Sequence, residues 1–439
     1  MRITAAEVAL ATGGTLIGPD IPANGISFDS RVLSDNQAFV AIREARDGHD
    51  FLVAALDRGA PFAIVETGRS IHGMTCVEVQ DTVEALAKLG HHCRDRLRDT
   101  VDGRVVGITG SVGKTSTKDL VRAVLASQYE RTHAPEKSLN NDIGVPVTII
   151  NAPDGCNALV IEMGMRGFGE IGRLCDIASP TIGVLTAIGD AHAERVGGIE
   201  GVVRAKAELL NSLPRGGTAI VNVDSSLVML AAKDTQAPLL TFGFSGAADV
   251  RCEVISSDET GSMNVKFVHG NSSALGIVPL IGMHMVSNAA AAVAVGVSVG
   301  IPLAQCVESL KHVVPSPQRM NWLTGRGGIR ILDDSYNANS LSMIAALESI
   351  ATLEATRRIA VLGMMAEVGE PEKAHADVAQ LCRNLDIELL PLETDLYGEA
   401  SLTLDQVIEK LSGTDEQVVV LVKGSRIAAT ERVVQRLTD

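Results

Sequence analysis

The chain has 439 residues, of which 46% are hydrophobic, 21% charged and 3% aromatic, and its formal net charge is −15. This length is too great for one hydrophobic core and predicts two to four domains. The acidic balance and the scarcity of aromatic side chains argue against nucleic acid or an anionic membrane as a partner. An anionic substrate would therefore need local positive charge and a metal ion.

The cysteines and the apolar segments indicate a cytoplasmic protein. Seven cysteines stand singly without C-x-x-C pairs, which is typical of reduced thiols. No signal-peptide pattern opens the sequence. The apolar run 289–301 is too short to span a bilayer and predicts a buried helix. "HHC" at 91–93 suggests either a metal site or a surface helix end, and the helix end is favoured because no second ligand pair has zinc spacing. We expect a monomer without membrane insertion.

Residues 1–100 predict a small N-terminal α/β domain. Short apolar runs at 38–42 ("AFVAI") and 62–66 ("FAIVE") predict strands. Apolar residues at helical spacing predict helices over 51–60 and 82–97.

The next stretch, "VVGITGSVGKTSTKDL" at 105–120, predicts a phosphate-binding loop between a strand and a helix. Glycines there turn backbone N–H groups toward an anion at the helix N-terminus. Lys114 would reach the terminal phosphates, and the Thr115 hydroxyl would coordinate Mg²⁺. The strict G-x-x-x-x-G-K-[ST] pattern would need glycine where Ile108 stands. An ordinary turn with a solvated lysine is the alternative.

The remaining segments complete a three-domain α/β fold. Residues 101–313 predict a central, mostly parallel sheet of P-loop type, because buried strands alternate with helices. Within it, 239–280 predicts added antiparallel strands. The two-proline stretch "VPSPQR" at 314–319 predicts a linker. Residues 314–439 alternate again and predict a Rossmann-like C-terminal domain.

Polar residues follow several of these strands. Glu162 ends one of them, where an acid would face the ligand crevice and bind Mg²⁺, unless it is a solvated strand end. His192 follows the next strand; a lone histidine is usually structural, but beside the phosphate loop and Glu162 this one is a candidate ligand or orienting group. Lys206 lies between two alanines on a helix and could reach inward, although spacing alone favours an exposed lysine.

Three further clusters are candidates for ligand binding. His284 and Asn288 lie four residues apart at a helix start, where Asn288 could bind an adenine edge or merely cap the helix. "LDDSYNANS" at 332–340 carries four polar side chains after an apolar strand, and an Asn/Asp-rich turn is the alternative. "KGSR" at 423–426 places basic and hydroxyl groups at another strand end.

Taken in order, these residues resemble the Mur ligase family over nearly the whole chain. "LNNDIGVP" at 139–146 and "DSYNAN" at 334–339 are the most specific matches, beside "GITGSVGKTS", "VIEMG", "GMHMVSNA", "AEVGE" and "VLVKGSR". The resemblance implies that ATP converts a substrate carboxylate into an acyl phosphate. An amine then attacks, giving an amide, ADP and phosphate. The most similar branch joins UDP-N-acetylmuramoyl-tripeptide to D-Ala-D-Ala in cell-wall precursor synthesis.

The resemblance also implies roles for particular residues. The catalytic group would be Lys114, His192 and Lys206. ATP would be bound by Thr109, Gly110, Ser111, Gly113, Lys114, Thr115, Ser116, His284, Asn288, Arg319 and Asp334. Two Mg²⁺ sites would use Thr115, Glu162, His192 and Lys206, with Lys206 carbamylated. The substrates would contact Asp29, Ser30, Arg31, Asn140, Asn141, Tyr336, Asn337, Asn339, Lys423, Ser425 and Arg426, the first three of them at the uridine diphosphate.

The sequence departs from the family pattern at both ends. The loop before "DGHDF" lacks a glycine and carries Arg43, Glu44 and Arg46. Single replacements occur at Met285, Ser340 and Met364. These changes predict altered substrate selectivity. Two other functions stay open: the same chemistry on a different acid and amine in a specialised pathway, or nucleotide binding without ligation.

Overall fold

The computed structural model describes residues 1–413 and 417–439. The chain forms a three-domain α/β protein built on separate sheets, so the predicted fold class is confirmed. The helices predicted over 51–60 and 82–97 are Leu52–Asp57 and Thr82–Arg96, so their limits differ from the predicted ones by at most three residues.

The N-terminal domain has a mostly parallel five-stranded sheet in residues 15–79 and a short antiparallel pair. The sheet order is Thr15–Ile17, Thr75–Val79, Phe62–Glu66, Ala38–Val40 and Ile26–Ser27, and the separate pair is Arg2–Thr4 with Pro22–Asn24. The helices are Ala5–Thr12, Leu52–Asp57, Thr82–Arg96 and Arg98–Val101.

The central domain is a nine-stranded sheet in residues 105–278. In spatial order the strands are Ser272–Val278, Met263–His269, Val250–Ser257, Leu239–Gly243, Thr218–Asn222, Ile182–Leu185, Val105–Thr109, Ala158–Glu162 and Thr132–His133. Neighbouring strands pair in parallel except at one edge of the sheet. There Met263–His269 is antiparallel to both of its neighbours, Val250–Ser257 and Ser272–Val278. The predicted antiparallel section therefore begins at Val250, because Leu239–Gly243 continues the parallel sheet.

Helices cover both faces of this sheet. Along the strand Val105–Thr109, Val106 and Ile108 enter one hydrophobic core and Val105 the other, because successive strand side chains point to opposite faces. The helices are Lys114–Ala126, Gly144–Ile150, Glu170–Ala178, Ile199–Asn211, Ser226–Ala231, Met283–Ser298 and Leu303–Ser309. Within the described residues no helix is long and apolar enough to cross a membrane.

The C-terminal domain has a sheet of five described strands. Their order is Asn321–Thr324, Arg330–Asp334, Val418–Lys423, Arg357–Leu362 and Glu388–Pro391, and only the first pair is antiparallel. The helices are Ser340–Ala351, Pro371–Asn384, Leu404–Leu411 and Glu431–Thr438. Asp334 and Lys423 end adjacent parallel strands, which places both at one edge of the sheet.

The N-terminal and central domains share a hydrophobic core. Helix Thr82–Arg96 packs closely on the next domain, since a Cβ at Gly90 would lie 2.7 Å from Pro146 Cβ. The Asn151 side chain also bonds both the N–H and the carbonyl of Ile26, at 2.8 and 3.0 Å. The residues "HHC" at 91–93 lie on helix Thr82–Arg96. His92 contacts Glu7 and Cys93 is buried, so this helix packs on its neighbours there.

Candidate active site

A cavity of about 880 Å³ lies where the carboxyl ends of the central and C-terminal strands face each other. This is the edge at which open parallel sheets bind ligands. The predicted residues that line it are Gly110, Ser111, Gly113, Lys114, Thr115, Ser116, Asn140, Asn141, Glu162, His192, Lys206, His284, Asn288, Arg319, Asp334, Tyr336, Asn337, Asn339, Lys423, Ser425 and Arg426.

The phosphate loop has the backbone shape that its glycines predict. Gly113 precedes the helix with φ +83°, a left-handed conformation that favours glycine. A Cβ at Gly110 would lie 2.0 Å from the Thr186 hydroxyl, so a side chain is excluded there. Ser111 is held by the neighbouring strand's loop, because its N–H donates to Ala187 O at 2.7 Å. The loop is thus held against the segment at Thr186 and Ala187.

Lys114 lies folded over this loop. Its ammonium donates to Gly110 O at 2.8 Å. Burial lowers the pKa of Lys114, and the negative charge of Glu162 opposes that shift. A lysine in this position can turn its charge toward phosphate oxygens held by the loop. Lys114 is therefore half-buried and bonded to the loop rather than freely solvated, and its phosphate-binding role stays a prediction.

Glu162 is the centre of a buried polar cluster. Glu162 is only 1% exposed, so the alternative interpretation of a solvated strand end is wrong. Thr115 Oγ1 donates to Glu162 Oε2 at 2.9 Å, and Asn140 Nδ2 donates to Oε1 at 2.7 Å. Ser138 Oγ lies 3.0 Å from the Thr115 hydroxyl. The carboxylate and the hydroxyls are hard oxygen donors, the type that Mg²⁺ prefers.

Lys206 points inward rather than into solvent. It is 2% exposed and lines the cavity, so the exposed-lysine expectation from spacing is wrong. Burial lowers the pKa of Lys206 well below its usual value, and the Lys114 charge lowers it further. Helix Ile199–Asn211 buries this face against the sheet, which sequence spacing alone did not indicate. The environment favours a neutral amine.

His192 reaches toward the third domain. Its Nε2 lies 3.7 Å from Glu367 Oε2. Burial lowers the pKa of His192, while Glu367 acts in the opposite direction and Lys206 and Lys114 lower it further. His192 is therefore influenced by two lysines of its own domain and contacts an acid of the opposite domain.

His284 and Asn288 lie at the start of helix Met283–Ser298. The N-cap of this helix is Gly282, so capping by Asn288 is wrong. Asn288 is instead buried against the phosphate loop, since a Cβ at Gly113 would lie 2.7 Å from its Oδ1. Burial lowers the pKa of His284 to about 4, which leaves a neutral imidazole at neutral pH. Both side chains can exchange hydrogen bonds with a base.

The third domain brings cations to the same cavity. The Arg319 guanidinium stacks on the Tyr336 ring at 4.1 Å, and its Nη2 lies 3.5 Å from Thr115 Oγ1. Lys423 donates to Asp334 and to Asn337 O, so Asp334 and Lys423 form a buried pair. Burial lowers the pKa of Lys423, and Asp334 opposes the shift.

Three predicted substrate residues also hold the local fold. Asn141 Oδ1 accepts the Gly144 N–H at 2.9 Å at the start of a helix. Ser425 Oγ donates to Ala338 O and accepts the Ala366 N–H. Asn339 caps helix Ser340–Ala351, because its side chain accepts the Ser342 N–H at 3.0 Å in a capping box.

We expect Asn339→Ala to weaken this cap by about 1 kcal/mol, since the helix loses a side-chain acceptor. Amide exchange in the first turn of Ser340–Ala351 should accelerate roughly fivefold. Asn339→Asp keeps the acceptor and should exchange like the unmodified chain. Unchanged exchange in Asn339→Ala would contradict the capping role.

Four predicted residues do not line the cavity. Thr109 is fully buried behind the loop, and its hydroxyl has no hydrogen-bond partner among the residues that the structure describes. Asp29, Ser30 and Arg31 lie on the N-terminal domain away from it. Arg31 pairs with Asp29 at 2.8 Å and holds the pKa of that carboxyl at about 2. The structure thus does not bring the predicted uridine residues together with the phosphate loop.

Some cavity residues have no counterpart among the predicted site residues. Arg43 and Glu44 line the cavity from the N-terminal domain, and Arg43 also pairs with Glu66 at 3.2 Å. Ser138 directly precedes "LNNDIGVP", and Glu367 lies in "AEVGE". The family stretches that contain or adjoin these residues could have indicated that they lie near the site. Only contact distances show which of their side chains turn inward.

Two family models match the chain, one in the central domain and one in the C-terminal domain. Residues 108–296 match the Mur ligase middle domain, and 318–436 match the Mur ligase glutamate ligase domain. The chain is 36% identical over 358 residues to the UDP-N-acetylmuramoyl-tripeptide–D-alanyl-D-alanine ligase of Synechocystis, covering 81% of this chain and 76% of that protein. It is 33% identical to the Escherichia coli enzyme of the same name, covering 100% and 99%.

Solved structures also resemble this chain over nearly the full length of both proteins. MurF from Acinetobacter baumannii superposes with a TM-score of 0.86 at 28% identity, covering 100% of this chain and 99% of that one. MurF ligase from Thermotoga maritima in complex with ADP superposes with a TM-score of 0.79 at 26% identity, covering 94% and 97%.

Proposed function

Because this chain belongs to the Mur ligase family, we propose that it joins UDP-N-acetylmuramoyl-tripeptide to D-alanyl-D-alanine in peptidoglycan precursor synthesis, as its MurF relatives are named to do. One observation carries this proposal. The phosphate loop and the Glu162 cluster of the central domain face Arg319 and the Asp334–Lys423 pair of the C-terminal domain across one cavity. Such a site can hold ATP on one side and two further substrates beside it.

ATP would lie along the central strand ends. The loop amides and Lys114 would hold its phosphates. His284 and Asn288 would meet the adenine, and Asp334 would approach the ribose. ATP use is supported by the ADP that the Thermotoga maritima relative contains.

The residues present fit one magnesium ion. Thr115 and Glu162 would hold it beside the phosphates, where it would neutralise their negative charge. Within residues 1–413 and 417–439 no group of three or more His, Cys, Asp or Glu side chains is arranged to hold a metal. A second ion would therefore depend on a carbamate at Lys206 next to His192.

The cavity residues would then promote acyl transfer. Lys114 and Arg319 would stabilise negative charge that develops on the transferred phosphoryl oxygens. The substrate carboxylate would attack the γ-phosphorus of ATP and displace ADP, which gives an acyl phosphate. The dipeptide amine would then attack the carbonyl carbon, lose a proton and displace phosphate, which forms the amide. Enclosure between domains would keep water from the acyl phosphate. Lys423, Ser425 and Arg426 would lie near the acceptor, with Asn140, Asn141, Tyr336, Asn337 and Asn339 shaping the cleft.

The uridine diphosphate would bind the N-terminal domain at Asp29, Ser30 and Arg31, with the peptide extending toward the cavity. The sheets support domain limits of 1–100, 101–313 and 314–439. We further propose that the protein acts as a cytoplasmic monomer on small-molecule substrates.

A second candidate is the same reaction on a different acid and amine. Arg43 and Glu44 line the cavity from the loop that departs from the family pattern, and they add charges where the acid would enter. This placement favours altered selectivity at that end, while the nucleotide residues are unaffected.

An ADP-release assay with paired substrates tests the proposal. UDP-N-acetylmuramoyl-tripeptide plus D-Ala-D-Ala should give saturable ADP release and the pentapeptide product. Omission of either substrate is the control. Release only with other acid and amine pairs would favour the specialised enzyme, and ATP binding without release under any pair would indicate a non-ligating protein.

We also expect the third domain to move when substrates bind, because ATP contacts lie on both sides of the linker 314–319. The small-angle scattering curve should change when a non-hydrolysable ATP analogue and the acid are added together. Lys114→Ala, which weakens phosphate binding, should respond less. Identical curves with and without ligands would contradict closure.

A further inference from the structure

A buried ion pair lies one turn beyond the phosphate loop. Lys118 and Asp119 are 1% and 9% exposed, and their Nζ and Oδ1 atoms are 2.9 Å apart. Charged groups are rarely buried unless they are paired and hydrogen-bonded. None of the ligand contacts proposed above uses either residue, so the pair needs another explanation.

The pair fastens two segments to the helix Lys114–Ala126. Lys118 Nζ donates to Pro135 O at 2.6 Å and lies 3.4 Å from Ser316 Oγ. Asp119 Oδ2 accepts the Ser316 N–H at 2.8 Å. One segment leads to Ser138, and the other is the linker between the central and C-terminal domains.

The linker beyond Ser316 has an unusual backbone. Gln318 and Met320 both have positive φ, at 62° and 54°, although neither is glycine. Such conformations persist where the surroundings determine them. Arg319 lies between these two residues and reaches Thr115 and the Tyr336 ring. An anchored Ser316 therefore fixes the start of the turn that aims Arg319.

Each of the two segments places a side chain near the Thr115 hydroxyl. Ser138 Oγ lies 3.0 Å from Thr115 Oγ1, and Arg319 Nη2 approaches the same atom at 3.5 Å. We propose that Lys118 and Asp119 are positioning residues for phosphoryl transfer, which hold the linker so that Arg319 faces the phosphate site. This inference rests on the proposed ligase function.

A double-mutant cycle separates positioning from mere stabilisation. Lys118→Met removes the charge at nearly constant volume. We expect it to lower kcat by roughly 10- to 100-fold, because a small misplacement of a charged group is costly, with a much smaller change in KM for ATP. In an Arg319→Ala background the same change should lower kcat by less than about twofold, since its effect acts through Arg319. A full, multiplicative loss in that background would overturn the proposal, as would wild-type kcat in Lys118→Met.

Amide exchange provides a readout that needs no catalysis. The Ser316 N–H and the amides of 318–321 should exchange faster in Lys118→Met than in the unmodified chain, while those of strand Val105–Thr109 should not change. Asp119→Asn keeps an acceptor for Ser316 and serves as the second variant if Lys118→Met does not fold; it should show the same pattern with smaller effects. Unaltered linker exchange would overturn the proposal. Absence of ADP release by the unmodified chain would instead overturn the ligase function.

Discussion

Lys114→Ala is expected to abolish ligation and leave the fold intact. Within residues 1–413 and 417–439 the Lys114 ammonium makes one hydrogen bond, to the loop carbonyl of Gly110, so folding depends little on it. Loss of a charge at a developing phosphoryl transition state typically costs about 3 kcal/mol or more, which is roughly a hundredfold in rate. Steady-state ADP release at saturating substrates measures the effect.

A matched control is Lys88→Ala. Lys88 is an exposed lysine on helix Thr82–Arg96 that pairs with Glu84 on the same helix. Exposed pairs of this kind contribute little to stability. Lys88→Ala should ligate normally, and both variants should keep the circular dichroism spectrum of the unmodified chain. Activity of Lys114→Ala within a few-fold of the control would contradict the phosphate-loop assignment.

Lys206→Ala is expected to lose most activity without unfolding, because we propose that Lys206 carries a carbamate. An ammonium has only donors and cannot bind Mg²⁺. Reaction with CO₂ needs the neutral amine: the nitrogen lone pair attacks the carbon of CO₂, and the amine releases a proton. Burial and the Lys114 charge lower the pKa of Lys206, which supplies that neutral form. The product is an oxygen anion, the ligand type that Mg²⁺ prefers.

Chemical rescue distinguishes a carbamate from a bare lysine. Acetate should partly restore Lys206→Ala by filling the vacated volume with a carboxylate. Lys206→Arg keeps a cation that forms no carbamate, so it should be inactive and should not respond to acetate. A crystal structure should show three additional atoms beyond Nζ. A bare ammonium at Lys206 together with normal ligation by Lys206→Ala would show that the carbamate assignment is wrong.

Local sequence was sufficient for the parts of the fold that depend on short-range physics. The strand Val105–Thr109, the glycine turn and the helix from Lys114 were predicted because hydrophobic periodicity and glycine conformations act within a few residues. The alternation of strands and helices likewise predicted the C-terminal domain. The parallel pairing of Leu239–Gly243 was missed, because strand direction depends on the sheet that receives the strand.

The sequence by itself therefore predicted the α/β class and the glycine turn between a strand and a helix. Of the predicted site residues, all but Thr109, Asp29, Ser30 and Arg31 line the cavity. Tertiary structure decided which way individual side chains point. Lys206 is buried because its helix packs that face on the sheet, and Asn339 caps a helix that begins beside the cavity. Arg43 lines the cavity whereas Arg31 does not, and Asp119 accepts a hydrogen bond from Ser316 in a linker nearly 200 residues away. These outcomes depend on contacts between segments distant in the chain, which no local pattern of residues encodes.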